Sequence, residues 1–297
     1  MGKGGREFFL SRYKELGHDL TGDEKTFSAL RVNTLKVDEC ELTASLIRRG
    51  IELREIEFLD QGYEIISSPF SLGASFEYLL GQFYLQEPAA QFPAKILSPE
   101  SKDAVLDMAA APGGKTTQLA SYMQNRGNLI AVDVSRERLY SLENNLERMG
   151  VVNCLVFNSD ILTLDFHGVK FSKILLDAPC SGNYVTDPEW FMKRSFEDVE
   201  RNSLLQRKML RRALEILEPG GTLVYSTCSL EPEENEFNIH WLLKNHDISL
   251  GKIRGPGSNS PTNIFGVELD PELSSCHRFW PDETSTQGFF VAEVKLE

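Results

Sequence analysis

The amino-acid sequence predicts an α/β fold in which a doubly wound, mostly parallel sheet follows a small α/β module. The first of two observations behind this prediction is an alternation of short apolar segments with amphipathic ones after residue 102. The segments with strand character are 104–108, 129–134, 154–158, 173–178 and 221–227. Helical periodicity occupies 116–123, 136–149, 198–217 and 233–244. Apolar strands that alternate with helices are typical of parallel sheets covered on both faces.

The second observation is a shorter alternation between about residues 27 and 66. Its predicted elements are strands at 28–33, 52–56 and 63–66, a helix at 39–49 and turns at Gly50 and Gly62. We therefore expect two domains: residues 1–80 hold an N-terminal helix and the small α/β module, and residues 81–297 hold the larger sheet. In such sheets, ligands bind at the carboxyl ends of the strands, close to the point where the strand order reverses.

The composition is that of an ordinary globular protein. Of the 297 residues, 41% are hydrophobic and 25% are charged, and no apolar run approaches the roughly 20 residues needed to cross a bilayer. The N-terminal segment has charges where a signal peptide is apolar, so we expect a cytoplasmic protein with no membrane-spanning segment. Five widely spaced cysteines without a CxxC pair predict free thiols, no disulfide framework and no metal site. We also expect a monomer.

The net charge of −13 argues against a surface that is basic throughout, which many nucleic-acid-binding proteins have. One local excess is present, because residues 193–212 contain seven Lys and Arg against three Asp and Glu, which leaves +4 on a predicted helix. This helix either contacts a phosphate backbone or is a solvated face, and the charge run alone does not distinguish the two.

A glycine-rich turn connects the first strand of the larger sheet to its first helix. In the segment AAAPGGKTTQLA, Gly113 and Gly114 permit close backbone approach to a helix N-terminus, where unpaired N–H groups attract an anion. Residues 109–116 also nearly match the P-loop pattern, with Lys115 and Thr116 in place and Asp177 available to hold a metal ion. A P-loop NTPase is therefore an alternative.

Acidic residues at the ends of the next strands favour a nucleoside cofactor that carries no phosphates. Asp133 ends the second strand, about 20 residues past the glycines, where a carboxylate accepts hydrogen bonds from ribose hydroxyls. Asp160 follows the third strand and is placed to meet the exocyclic amine of an adenine. Together with Asp177, these acids suit a positively charged sulfonium and would repel a triphosphate. The alternative for Asp133 taken alone is a turn aspartate.

Two cysteines follow the fourth and fifth strands, in DAPCSG at 177–182 and STCSL at 226–230. If these strands are neighbours, Cys180 and Cys228 lie side by side at the cofactor edge of the sheet. A lone cysteine there is more often a small buried apolar residue, but a pair favours chemistry. One reaction that would use such a cysteine beside a sulfonium cofactor is the methylation of cytosine at carbon 5. This carbon is too electron-poor to accept a methyl group directly, so the reaction requires a thiolate that adds to carbon 6.

The same chemistry suggests roles for the neighbouring residues. Asp177 would stabilise the protonated ring at its N3 and N4 edge, and Lys115 would lower the pKa of the thiol or orient the base. The second cysteine or a water would help to remove the carbon 5 proton, and the spacing leaves open which cysteine attacks. A stacked cytosine cannot enter such a pocket, so the target must be flipped out or single-stranded.

Several motifs resemble the RNA cytosine-5 methyltransferases of the nucleolar-antigen/Sun family. They are AAAPGGKT, DAPCSG, STCSLEPEENE and the C-terminal HRFWPDETSTQGFFVA, and RVNTLK at 31–36 looks like that family's small N-terminal RNA-binding module. The resemblance covers nearly the whole chain from about residue 27 onward. It implies a Rossmann-type methyltransferase domain that uses S-adenosyl-L-methionine and acts on RNA.

The resemblance also implies roles for the cofactor-site residues. Asp133 would bind the ribose with Arg138 beside it, and Asp160 would reach toward the adenine. Asp177 would also bind the cofactor. Seven residues would line the methionine part of the cofactor: Ala109, Ala110, Ala111, Pro112, Gly113, Gly114 and Lys115. Many relatives have cysteine where this chain has Ala109, but this residue is expected to touch the cofactor through its backbone, so we expect activity to be retained.

In this family the cysteine of the TC motif, here Cys228, is the nucleophile, and Cys180 of the PC motif helps to release the product. The compact N-terminal module favours transfer RNA as the substrate, with ribosomal RNA second. A non-catalytic RNA-binding scaffold is the third alternative, and it is the weakest because every residue that the chemistry needs is present.

Overall fold

A computed structural model describes residues 4–297, which form two compact units. The first unit is Phe27–Leu175, and the second joins residues 4–26 to Leu176–Glu297. The strand Phe171–Asp177 crosses the boundary, so that its last two residues belong to the second unit. The predicted division between residues 80 and 81 falls within the first unit and stays a prediction.

The N-terminal part of the first unit is a four-stranded antiparallel sheet. Its strands are, in order, Glu52–Glu55, Gly62–Ser67, Ala29–Val32 and Phe83–Leu85. The helix Glu39–Arg48 begins at Asp38, whose carboxylate accepts hydrogen bonds from two N–H groups of the first turn. Leu42 and Leu46 of this helix pack into the apolar cluster of the sheet. The sequence analysis predicts three of these strands and the helix, but not the edge strand Phe83–Leu85, the preceding 3-10 helix Leu72–Ala74 or the short α-helix Phe76–Leu79.

The first unit also contains four parallel strands of the larger sheet. Their order is Cys154–Asn158, Asn128–Asp133, Ala104–Asp107 and Phe171–Asp177. The helices of this region are Pro88–Leu97, Gly114–Tyr122 and Arg136–Met149. The chain order reverses beside Ala104–Asp107, which makes the carboxyl end of that strand the expected ligand crevice. These strands confirm the predicted α/β fold with a mostly parallel sheet.

The strands of the second unit are mainly antiparallel. Leu217–Thr227 pairs with Phe289–Leu296, which also pairs with His277–Phe279 and Ile248–Gly251. Two short pairs complete the unit: Ser258–Asn259 with His277–Phe279, and Asn263–Ile264 with Val267–Glu268. Of these strands, the sequence analysis predicts only the one at 221–227.

The helices of the second unit are Arg6–Glu15, Trp190–Lys193, Phe196–Ile216, Glu236–Asn245 and Pro281–Thr284, with a 3-10 helix at Pro271–Ser275. The first of them packs Phe9 against Trp190 and Tyr13 against Trp280, with ring centroids 4.6 Å and 6.2 Å apart. The N-terminal helix therefore has its core contacts in this unit. Within residues 4–297, no helix is both long and apolar enough to cross a bilayer.

Candidate active site

The glycine-rich turn has a geometry that requires glycine. Gly113 has a φ of +104°, and a Cβ atom at this position would lie 2.8 Å from Cδ1 of Leu142. The Thr116 hydroxyl donates to the carboxylate of Asp107 over 2.8 Å, which ties the start of the helix to the end of the first strand. Thr116 is fully buried, and this contact engages the proton of its hydroxyl.

Asp133, like Asp107, is a buried carboxylate of this region. Its two oxygens accept hydrogen bonds from the N–H groups of Ala111, at 3.0 Å, and Ser135, at 2.9 Å. Arg138 lies beside it, with Nη1 3.8 Å from the carboxylate and Nη2 donating to the Ala111 carbonyl. Asp133 thus holds its own turn and the glycine-rich turn, and each carboxylate oxygen keeps a further lone pair for a ligand.

Asp160 and Lys115 lie in the same unit. Asp160 is exposed after the third strand, and its carboxylate accepts a hydrogen bond from the Leu162 N–H at 2.9 Å. Asn158 donates to the Asp133 and Val134 carbonyls, so the ends of the second and third strands are joined. Lys115 is half-buried in the first turn of the helix. The predicted cofactor residues from 109 to 160 therefore follow neighbouring parallel strands, and their roles toward a cofactor stay predictions.

Arg31, in the first strand of the small sheet, belongs to this region although it was not predicted as a site residue. Its side chain is 2% exposed and donates to Gln86 at 3.1 Å, to the Gly114 carbonyl at 3.0 Å and to the Thr117 hydroxyl at 2.9 Å. Burial among these neutral partners lowers its pKa to about 10. The sequence does contain a signal for Arg31, because it is a charged residue inside the otherwise apolar strand segment ALRV.

The second unit brings the two predicted cysteines together. Sγ of Cys180 lies 3.3 Å from Sγ of Cys228, far beyond the roughly 2.05 Å of a disulfide bond. Both thiols are half-buried. The hydrogen bond with Cys228, together with burial, holds the pKa of the Cys180 thiol well above its usual range.

The ends of the two strands that carry the cysteines are directly bonded. The Ala178 N–H donates to the Ser226 carbonyl over 2.8 Å, and the Ser226 hydroxyl donates to Asp177 over 2.7 Å. Asp177, the third predicted catalytic residue of this unit, therefore precedes one cysteine and contacts the strand that leads to the other. Its role toward a substrate ring stays a prediction.

Buried amides behind the cysteines were not predicted. Asn183 donates to the Cys228 carbonyl over 2.6 Å, and Gln206 donates to the Pro179 carbonyl over 2.9 Å. Both side chains are fully buried. They fix the backbone on either side of the thiol pair. Nothing in the sequence indicates this role, because Asn183 lies in a loop and Gln206 in a helix rich in charged residues.

Comparison with known proteins identifies the family. A family model described as 16S rRNA methyltransferase RsmB/F matches residues 94–295. The tRNA (cytosine(49)-C(5))-methyltransferase of Pyrococcus abyssi is 36% identical over 272 residues, which are 90% of this chain and 87% of that protein. The 28S rRNA (cytosine-C(5))-methyltransferase of Mus musculus is 35% identical over 274 residues, but the chain spans only 35% of its length.

Solved structures agree. A methyltransferase homolog protein from Pyrococcus horikoshii has a TM-score of 0.90 at 38% identity, covering 98% of this chain and 95% of that one. NSun6 from Pyrococcus horikoshii, solved with SFG, has a TM-score of 0.83 at 26% identity, covering 99% of this chain and 97% of that one. As its resemblance to the nucleolar-antigen/Sun proteins predicts, the chain belongs to the RsmB/F family of methyltransferases.

Proposed function

We propose that this protein uses S-adenosyl-L-methionine to methylate carbon 5 of a cytosine in RNA. The observation that carries the proposal is the pair of thiols, Cys180 and Cys228, whose sulfurs lie 3.3 Å apart at the ends of two bonded strands. Chemistry at carbon 5 needs one sulfur as nucleophile and a second group to assist release. The cytosine-C(5) relatives of the chain support the same reaction.

The cofactor region suits S-adenosyl-L-methionine. The left-handed turn at Gly113 leaves no room for a Cβ atom and leads into a helix whose first N–H groups lack intrahelical partners, as a methionine carboxylate requires. Asp133, with Arg138 beside it, is the candidate for the ribose, and Asp160 for the adenine. When bound, the cofactor supplies an electrophilic methyl group. A related structure solved with SFG, an analogue of this cofactor, supports the assignment.

The residues of the chain have complementary roles in the proposed reaction. The proton of Cys228 passes through a water to N3 of the cytosine as the Cys228 sulfur bonds to carbon 6. The carboxylate of Asp177 accepts a hydrogen bond from the protonated N3 edge of the ring. Cys180 keeps its proton at this stage and donates to the Cys228 sulfur. After methylation, a water accepts the carbon 5 proton, or Cys180 accepts it after passing its own proton to the departing Cys228 sulfur. The bond between Cys228 and carbon 6 breaks, and N3 returns its proton to water. Lys115 orients the base.

A Cys228→Ala variant tests the function. We expect it to bind S-adenosyl-L-methionine with unchanged affinity, because the cofactor residues are untouched, and to form no 5-methylcytosine. Titration calorimetry measures the first quantity and bisulfite sequencing of incubated RNA the second. Cys276, which is fully buried elsewhere in the unit, provides a matched cysteine control as Cys276→Ala. Undiminished 5-methylcytosine with Cys228→Ala contradicts the proposal.

We infer that the substrate is transfer RNA, because the tRNA relative matches along 87% of its own length and the mouse rRNA relative along only 35%. Ribosomal RNA is the second candidate, supported by the rRNA enzymes among the relatives. Incubation with purified tRNA and with rRNA, followed by 5-methylcytosine mapping, distinguishes them. A monomer that acts in the cytoplasm without a bound metal ion remains our expectation.

A further inference from the structure

We propose that Glu234 is a positioning residue that fastens the Cys180 loop to the Cys228 loop and directs the thiolate to Cys228. The inference rests on the proposed function, since it concerns how the nucleophile of that reaction is selected. Glu234 is fully buried and lies in the turn between the strand that leads to Cys228 and the helix Glu236–Asn245.

The carboxylate of Glu234 is bonded directly to the residue after Cys180. It accepts the Ser181 N–H at 3.0 Å and 3.2 Å and the Ser181 hydroxyl at 2.8 Å. The Ser181 hydroxyl lies 3.1 Å from that of Ser229, the residue after Cys228. One carboxylate therefore connects the two residues that follow the two cysteines.

The backbone of Glu234 is itself fixed. Its carbonyl accepts the Tyr225 hydroxyl at 2.6 Å and the Asn238 amide at 3.2 Å, and its N–H donates to the Glu231 carbonyl at 3.2 Å. All of these partners are fully buried. The backbone of Glu234 is consequently fixed to a strand, a helix and its own turn, so a change at its side chain is transmitted to the cysteine loops.

Burying the charged carboxylate of Glu234 costs desolvation free energy that a neutral side chain would not cost. Within residues 4–297, Glu234 forms no ion pair, and burial raises its pKa to about 6, against the hydrogen bonds from the serines. Gln would have nearly the same shape without the desolvation cost of a carboxylate. A stable fold alone therefore does not require a carboxylate at this position.

The carboxylate is bound more closely to the Cys180 loop, because it accepts both the N–H and the hydroxyl of Ser181, whereas Ser229 reaches it only through its side chain. A second negative charge on the Cys180 sulfur is disfavoured by the first, which contributes to the raised pKa of that thiol. Of two sulfurs 3.3 Å apart, Cys228 is then the one that becomes the thiolate. This mechanism assigns the nucleophile from contacts within the fold, independently of any motif.

The test compares Glu234→Gln with Glu233→Gln as the matched control. Glu233 is the adjacent acid, but its carboxylate contacts Arg12 and not the cysteine loops. Each protein, free of RNA, is alkylated with iodoacetamide at pH 7, and peptide mass spectrometry gives the ratio of labelled Cys228 to labelled Cys180. We expect Glu234→Gln to lower this ratio about tenfold, which corresponds to a pKa difference of about one unit, and Glu233→Gln to leave it unchanged.

The kinetics of RNA methylation supply the second readout. We expect kcat to fall at least tenfold in Glu234→Gln, with KM for S-adenosyl-L-methionine within about twofold of the parent. An unchanged labelling ratio in a Glu234→Gln protein of native Tm overturns the inference. If that variant does not fold, Ser181→Ala must shift the ratio in the same direction, and no shift overturns it. Absence of methylation by the parent protein would instead refute the proposed function, because alkylation needs no RNA.

Discussion

The environment of the Cys180 sulfur gives this cysteine a different role from Cys228 in the proposed reaction. Its sulfur is within hydrogen-bond distance of the Cys228 sulfur, and its pKa is raised by that contact and by burial. Such a thiol is a poor nucleophile at neutral pH, but it can assist the departure of a neighbouring sulfur. The two cysteines are therefore not interchangeable, although both lie at strand ends.

We predict that Cys180→Ala traps RNA on the protein. Cys228 can still attack carbon 6, but removal of the carbon 5 proton loses its assisting group, so the adduct accumulates. The measurement is a band of combined mass on a denaturing gel after incubation with RNA and S-adenosyl-L-methionine. The double variant Cys180→Ala with Cys228→Ala is the control and should show no band. Full turnover by Cys180→Ala without an adduct would remove the release role.

A second prediction concerns Gly113. Gly113→Ala places a side chain at a φ of +104° and a Cβ atom 2.8 Å from Leu142, so we expect a loss of about 2–4 kcal/mol in the free energy of unfolding. We also expect at least about tenfold weaker cofactor binding by calorimetry, because the turn must move. Gly168 is the matched control: its φ is +84°, but nothing lies within 4 Å of an added Cβ atom. Equal losses in both alanine variants would contradict the clash.

At the scale of elements, the N-terminal helix and the acidic loop that follows Cys228 stabilise each other. Arg12 donates to Glu231 at 2.9 Å and to Glu233 at 2.6 Å, and its guanidinium lies 4.8 Å from the centre of the Phe196 ring. Glu231 is fully buried, and burial raises its pKa to about 7 although Arg12 acts in the opposite direction. When Glu231 is protonated, Glu233 remains the ionic partner of Arg12.

This raised pKa gives a prediction for stability. Between about pH 4.5 and pH 7 the unfolded chain releases the Glu231 proton while the folded protein keeps it, so the free energy of unfolding falls as pH rises. The fall attributable to Glu231 is at most about 3 kcal/mol. Urea unfolding at pH 5 and pH 8 measures it as the difference between the parent and Glu231→Gln, in which other titrating groups cancel. A difference that is the same at both pH values would contradict the assignment.

The elements that sequence analysis predicts are those whose signal is local. The parallel strands Ala104–Asp107 and Asn128–Asp133 are short apolar runs that end before turn residues, and the structure has them within about two residues of their predicted bounds. The C-terminal strand Phe289–Leu296 was missed, because its burial depends on pairing with Leu217–Thr227, far away in the chain. Local periodicity does not report such partners.

The candidate site also contains residues that the local sequence predicts and residues that depend on distant partners. The thiol pair follows from two motifs at strand ends, and the structure brings the sulfurs together. The acids of EPEENE were not predicted as site residues, yet Glu231, Glu234 and Glu236 are fully buried. Glu231 meets Arg12 and Glu236 meets Arg278, more than 40 residues away in each case. Which acids an arginine reaches is decided by tertiary contacts, so the local sequence does not predict these ion pairs.

At the scale of the whole molecule, the charge distribution bears on RNA binding. The protein has a net charge of −13, and three of the seven cations of its predicted basic segment form ion pairs. Lys193 pairs with Asp187 and Glu189, Arg201 with Asp198, and Arg212 with Glu215. Four cations of the segment form no ion pair with any residue of 4–297: Arg194, Arg207, Lys208 and Arg211. About four phosphate contacts is thus the most that this segment offers.

We predict that RNA affinity depends only moderately on salt. Four phosphate contacts correspond to a slope of about −3 in log K against log salt, or roughly a 50-fold loss between 50 and 200 mM, well below the loss for six to ten contacts. Lys208→Gln with Arg211→Gln should reduce the slope by about 2, whereas Arg201→Gln, which removes a cation already paired with Asp198, should leave it unchanged. Filter binding across salt concentrations measures both slopes. If the double variant keeps the parental slope, the helix Phe196–Ile216 presents a solvated face and RNA binds through other cations.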